Sequence, residues 1–217
     1  LIGYQIKRLQ ESQLKIVVAT PDNGQNKELI KYVQSLGVQT FEGDTLNVLK
    51  RFYDTALYYG AQHIIRITGD NPLIDGVFIK NQIKNFHPKS NNYYFAEGLN
   101  KGLPLGTSFE MFSFELLEKA FKRAKSPEEF EHVTPFMVQN LPGDIDQYIL
   151  NSGFDAHHLR LTIDTNEDFI LLKKLICEYS AQNLSIKEII SLMKLNEDLT
   201  HINQNVNQIQ IRNLSNE

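Results

Sequence analysis

The chain predicts an α/β fold of three layers, a mostly parallel sheet with helices on both faces. Two patterns point there. Short apolar, β-branched runs bounded by turn residues alternate with stretches whose apolar residues recur at helical spacing. Alternation of that kind builds right-handed strand-helix-strand units. A length of 217 residues is enough for one such domain with a full core.

The elements follow in order. "LIGYQIKRLQ" (1–10) puts Ile2, Ile6 and Leu9 on one helical face, yet no Ser, Thr, Asp or Asn precedes it as a cap. The sequence therefore reads as starting inside a helix, with an upstream segment expected. "KIVVAT" (15–20) is a buried strand closed by the turn residues "PDNG". Leu29, Ile30, Val33 and Leu36 form a helix stopped by Gly37, and "VQTF" (38–41) is the second strand. A helix with Leu46, Leu49, Phe52, Tyr53 and Ala56 inward ends at Gly60, before the third strand, "HIIRIT" (63–68). Val77, Phe78, Ile79 and Ile83 mark the next helix. "NYYFA" (92–96) and "SFEMFS" (108–113) read as strands around a Gly-rich loop, 97–106.

Ser113 caps a helix with Leu116, Leu117, Ala120 and Phe121 inward, and Ser126, Pro127 and Glu129 make a capping box for another. "DQYIL" and "LRLTID" are the last strands. Thr165 or Asp164 caps a helix with Phe169, Leu172, Ile176 and Tyr179 inward, and Ser185 with Glu188 opens the final one. The reading is one domain over 1–195 followed by a polar tail over 196–217, rich in Asn and Gln and expected to pack loosely.

Composition excludes several classes. A net charge of -4, a pI near 5.9 and no dense basic run argue against nucleic acid or an anionic membrane as partner. No apolar run reaches the ~18 residues of a membrane span. The single cysteine, Cys177, cannot form an internal disulfide or a thiolate zinc cage, which suits a reducing cytoplasm. There is no Walker loop, GxSxG elbow or GxGxxG.

The chemistry is expected where strands end. Asp70 follows "IIRITG" and Asp164 follows "LRLTI". Carboxylates leaving parallel strands share one edge of a sheet, where open α/β folds bind ligands, and two of them suit Mg²⁺, which takes its remaining ligands from water and phosphates. Turn chemistry alone also explains "TGDNP", and a helix N-cap alone explains Asp164. Arg66 interrupts an Ile/Thr strand with a guanidinium suited to phosphate or a base edge, or to a salt bridge at the rim. Glu131 and His132 are a pair able to bond a polyhydroxy substrate or move a proton, or else an ordinary helix surface. His157 and His158, adjacent on a predicted strand, point apart and lack a third ligand.

The ordered set "VVATPDN" (17–23), "FEGDTLNVLKRFYDTA" (41–56), "RITGDNPLID" (66–75), "FEMFSFELLEKAF" (109–121), "EHVTPF" (131–136) and "LRLTIDTNEDF" (159–169) resembles the SpsF-type cytidylyltransferases, relatives of the CMP-sialic acid and CMP-Kdo synthetases. The resemblance spans nearly the whole chain. It implies a Rossmann-like, nucleotide-diphospho-sugar-transferase-like fold and transfer of CMP from CTP to an acidic sugar, with pyrophosphate leaving. It further implies Mg²⁺ held by Asp70 and Asp164, a catalytic role for these two with Arg66, and a homodimer. Thr20, Asp22, Arg66, Thr68 and Gly69 fall near the nucleotide, the glycine letting backbone and phosphate approach. Glu110, Glu131 and His132 fall on the sugar side. Two departures stand out. The family opens with a phosphate loop of the type Gly-Ser-x-Arg-Leu-Pro-Gly-Lys that this sequence lacks, so weak or no turnover is expected of these 217 residues. "LPLGTSFE" also replaces a stretch usually acidic around its glycine. The alternative reading is a non-catalytic nucleotide-binding or assembly module of the same fold.

Overall fold

The computed structural model describes residues 1–84, 86–97, 102–139, 145–150 and 152–206. Its first half alternates as expected: α1 (Ile2–Gln10), β1 (Val17–Pro21), α2 (Lys27–Ser35), β2 (Gln39–Gly43), α3 (Val48–Tyr59) and β3 (His63–Arg66). The second half adds α4 (Gly76–Ile83), β4 (Tyr93–Glu97), β5 (Glu110–Ser113), α5 (Phe114–Arg123), α6 (Pro127–His132), α7 (Pro135–Gln139), β6 (Asp146–Leu150), α8 (Asn166–Tyr179), a 3₁₀ turn (Ala181–Asn183), α9 (Ile186–Leu195) and α10 (Glu197–His201). The capping residues act as their positions demand. Ser113 caps α5, and Ser126, Thr165 and Ser185 close full capping boxes on α6, α8 and α9. Gly60 ends α3 at φ 62°, a left-handed conformation that costs glycine nothing.

The strands form two sheets. β1 and β2 pair in parallel, and β3-β5-β4-β6 make a four-stranded sheet in which β4 and β6 are parallel while β5 runs against both neighbours. β3, β4 and β6 thus share one direction. Period-two alternation splits this sheet between two cores. Met111, Phe95 and Tyr93 face a large cluster with α8 and α9, whereas Phe112, Ile64 and Tyr94 face a second with α3, α5 and α7. Helices therefore cover both faces.

No ladder joins β1 to β3 among the described strands, although sequence order suggested one continuous sheet. Helices bridge the sheets instead. On one face, Ile6 of α1 belongs to the cluster under β1 and α2, while Leu9 packs on the large core and Gln5 Nε2 donates to Thr68 O at 2.7 Å. On the other, α3 sends Leu49 and Ala56 into the second core, and Tyr59 OH donates to Thr40 O of β2. Arg8, 4% exposed, secures α1 by donating to the carbonyls of Ile74, Ala181, Gln182 and Leu184.

Four expectations need correction. "LRLTID" forms no strand; its only ladder contact among the described residues is an isolated bridge from Arg160 to Leu105. Leu46 lies 87% exposed because α3 starts two residues later, with Asp44 holding the preceding turn through the N–H groups of Leu46 and Asn47. Phe169 is exposed on α8, whose inward row is Leu171, Leu172, Leu175 and Ile176. The start of the tail is packed: Leu199 is buried, and Asn203 donates to Arg160 O and Asp168 Oδ1. The loop at 97–106 lies partly outside the described residues.

Asp168 deserves its burial chemistry. It is fully enclosed, and its carboxylate takes Arg160 Nε at 2.8 Å, Asn203 Nδ2 at 2.8 Å and the N–H groups of Asp164 and Thr165. Burial pushes its pKa up, but the donors from Arg160, Asn203 and the backbone outweigh it and hold the group down at about 2. A carboxyl more acidic folded than unfolded (about 3.9) stabilises the fold above that value and loses the contribution as pH falls toward about 2. Asp168→Asn is expected to lower stability by about 3 kcal/mol, since Arg160 loses its buried counter-charge. It should also remove this part of the acid sensitivity; urea unfolding at neutral and acid pH measures both.

Candidate active site

The carboxyl ends of β3, β4 and β6 and the start of β5 lie on one edge of the larger sheet. The segment 67–75 leaves β3 there. Thr68 Oγ1 donates to Asp70 Oδ1, and Asn71 Nδ2 donates in turn to Thr68 Oγ1 at 2.9 Å, which fixes one face of the carboxylate. Asp70 Oδ2 takes no hydrogen bond among the described residues. The chain then dives inward: residues 72–76 are buried, and Asp75 both caps α4 through Phe78 N–H and accepts Ile186 N–H at the start of α9.

The 159–164 segment reaches the same edge. Ile163 N–H donates to Asp70 O at 3.0 Å, and Thr162 Oγ1 lies 3.4 Å from the same carbonyl. Asp164 is the next residue, so the two aspartates that sequence reading singled out flank one backbone contact. The cap role belongs to Thr165, whose side chain accepts Asp168 N–H. Asp164 is thereby left projecting, its side chain 53% exposed, with Oδ2 accepting Arg160 NH2 at 2.5 Å. Arg160 divides its guanidinium between Asp168 inward and Asp164 outward.

Arg66 meets the rim salt bridge that sequence reading held as its alternative. Its NH1 donates to Glu110 Oε2 at 2.6 Å across the β3–β5 pair, while its Nε is buried without a partner among the described residues. Glu110 Oε1 accepts Tyr94 OH at 2.5 Å and Thr134 Oγ1 at 2.8 Å. Glu110 is thus fully engaged with protein, and Tyr94 and Thr134 are site residues that sequence reading missed. Burial, then the charge of Glu110 beside it, pushes the Tyr94 phenol well above its usual range.

Thr134 hangs from an unusual turn. Val133 has φ 71° and ψ -51°, and Thr134 N–H donates to His132 O at 2.8 Å, a three-residue γ-turn of the rarer hand. A β-branched residue at positive φ costs about 1–3 kcal/mol and persists only where its surroundings over-determine it. Val133 is fully buried and Thr134 is tied to Glu110. His132 is half-buried and Glu131 exposed; neither side chain has a hydrogen-bond partner among the described residues.

Thr20 and Asp22 sit at the end of β1. Thr20 is 3% exposed and its Oγ1 has no partner among the described residues. Asp22 lines a separate open cleft of about 440 Å³ with Glu42, Asp44, Lys50 and Asp54. That cleft contains none of the other predicted residues, and its excess of carboxylates makes it a poor place for phosphate.

Among the described residues no three carboxylate, His or Cys side chains gather as a metal cage. Asp70 and Asp164 offer two carboxylates with one oxygen each unengaged, a donor set that fits Mg²⁺, because that ion keeps waters and takes substrate phosphates as ligands. No helix among the described residues is long and apolar enough to cross a membrane.

Comparison with known proteins shows the family. The family described as "Cytidylyltransferase" matches residues 1–205. An uncharacterised protein of Methanocaldococcus jannaschii is 35% identical over 216 residues, covering 98% of this chain and 87% of its own. The spore coat polysaccharide biosynthesis protein SpsF of Bacillus subtilis is 30% identical over 193 residues, covering 87% of this chain and 78% of its own. A solved cytidylyltransferase from Leptospira borgpetersenii superposes with a TM-score of 0.83 at 27% identity, over 95% of this chain and 87% of that one.

Two glycines at this edge differ in what they demand. Gly106 has φ +88°, and a Cβ there would lie 2.5 Å from Thr162 N and 2.7 Å from Leu161 C, in the segment that carries Asp164. At Gly69 a Cβ would meet nothing within 4 Å and φ is ordinary, so neither packing nor backbone requires glycine. Gly106→Ala should therefore lower the melting temperature by several degrees, an effect of about 1–3 kcal/mol. Gly69→Ala should leave it unchanged; thermal unfolding of both variants checks the contrast.

Proposed function

The chain belongs to the cytidylyltransferase family, and on that premise we propose that this CTP-using nucleotidyltransferase transfers CMP to an acidic sugar for surface polysaccharide or glycan synthesis, releasing pyrophosphate. The observation that carries the reading is the hydrogen bond from Ile163 N–H to Asp70 O, which joins the two backbone segments that bear Asp70 and Asp164 at the sheet edge. The sugar class rests on the motif resemblance, and the polysaccharide setting on the biosynthetic role for which SpsF is named.

In the proposed reaction a sugar hydroxyl oxygen bonds to the α-phosphorus of CTP, the bond from that phosphorus to the bridging oxygen breaks, and pyrophosphate leaves. Negative charge grows on the phosphate oxygens and the leaving group, so the protein's task is positioning and electrostatic stabilisation. Asp70 and Asp164 would hold Mg²⁺, which when bound neutralises part of that charge. Arg66 supplies fixed positive charge at the end of β3. Gly69 leaves open space beside the backbone where an anion can approach. Thr68 orients Asp70 through its hydroxyl. His132 and Glu131 stand ready on the sugar side with no side-chain partner among the described residues to displace.

Incubating the full-length protein, carrying the phosphate loop expected upstream, with CTP, Mg²⁺ and a panel of nonulosonate-type acidic sugars should release pyrophosphate. CTP binding without release for any sugar would favour a non-catalytic nucleotide-binding module. Asp70→Asn and Asp164→Asn should each lower turnover by more than ~100-fold, the usual scale when a group holding an ion is lost. A near-normal rate in either variant removes that residue from the metal site.

A further inference from the structure

Resemblance places Glu110 on the sugar side, as a ligand. Its geometry fits another task. Three elements converge on one carboxylate: Arg66 from β3, Tyr94 from β4 and Thr134 from the turn between α6 and α7. Both oxygens are occupied, and the side chain is only 22% exposed. A carboxylate has about four acceptor positions, so three protein donors leave little with which to grip a sugar hydroxyl. The partners also belong to opposite halves of the site. Arg66 lies on the nucleotide side of the proposed reaction, whereas Thr134 ends the strained turn that begins at His132.

We infer that Glu110 is a positioning residue, a clamp that fixes the Arg66 guanidinium and the His132–Thr134 turn as one rigid unit. Register explains how. Glu110 sits directly opposite Arg66 on the β3–β5 pair. Tyr94, opposite Phe112, is its diagonal neighbour on the same face of the sheet, within reach of a long side chain. With NH1 drawn to Glu110 and Nε buried, the Arg66 guanidinium is held in one orientation. The two hydroxyls aim the carboxylate, and the carboxylate aims the guanidinium. Thr134 also transmits that position to the turn, because its N–H and its side chain are both committed, to His132 O and to Glu110. What the two halves bind rests on the cytidylyltransferase reading; that they are coupled does not.

The test has two arms. Side-chain NMR of the whole chain should show a Arg66 guanidinium in slow rotation, averaged in Glu110→Gln, with the His132 ring signals shifted in the same variant. Thr134→Val, which removes one donor and no charge, should shift His132 too and serves if Glu110→Gln misfolds. Calorimetry with CTP and Mg²⁺ should give binding about tenfold weaker for Arg66→Ala and for Glu110→Gln, with the double variant no weaker than Arg66→Ala alone, as for residues acting in series. Wild-type affinity in Glu110→Gln, or a double variant that loses the product of the two effects, overturns the inference. If the wild-type protein binds no CTP, the functional reading fails. The clamp is then judged by NMR, where unchanged Arg66 and His132 signals in Glu110→Gln overturn it.

Discussion

The hydrogen bond from Ile163 N–H to Asp70 O is the contact on which the site depends. It joins a loop leaving β3 to a segment that is neither strand nor helix. Such a segment has no ladder of its own to hold it, so its position must be imposed by neighbours. Leu105 exchanges backbone bonds with Leu159 and Leu161, Gly106 makes room for the Leu161–Thr162 backbone, and Asn203 braces Arg160 O. Leu159 and Leu161 are buried in the large core beneath. The aspartate that follows is thus carried by the core, not by a flexible loop.

Charge at this edge is distributed in linked pairs. Arg160 spans a buried aspartate and an exposed one, so the structural demand of the interior is met by Asp168 while Asp164 is held at the surface with an oxygen to spare. Arg66 and Glu110 make the second pair. In each, a guanidinium fixes a carboxylate with a charge-assisted bond, the stronger kind, and the low exposure of Arg160 with Asp168 and of Arg66 with Glu110 keeps water from loosening those bonds. Pre-set charges of this sort need little reorganisation when a phosphate arrives.

The helices that bridge the two sheets serve the same edge. Gln5 of α1 binds Thr68 O, and Arg8 ties α1 to a carbonyl just before α4 and to carbonyls after α8. The loop carrying Asp70 is therefore anchored from α1 on one flank and from the 162–163 backbone on the other.

Much of this was legible from the chain alone. Periodicity and caps located the strands β1 to β6 of the described residues and the principal helices, because those signals are local: an apolar face repeats within a few residues, and Ser126, Thr165 and Ser185 act within one turn. Asp70, Asp164 and Arg66 stood out because a charged residue at the end of an apolar run is conspicuous. What the sequence could not reveal was non-local. Leu46 and Phe169 matched a helical pattern but faced water, since helix starts and tertiary partners decide which residues of a stripe are covered. The apolar run "LRLTI" reads as a strand but stays single, because its neighbour offers only an isolated bridge. Tyr94 belongs to no motif, and Thr134, though inside "EHVTPF", carries no charge to single it out; they matter because β4 and the γ-turn bring them to Glu110. Periodicity determined the elements and the ordered motifs pointed to the chemistry by resemblance, whereas the pairing of Glu110 with its donors was decided by folding, because those bonds join residues 16 to 44 positions apart.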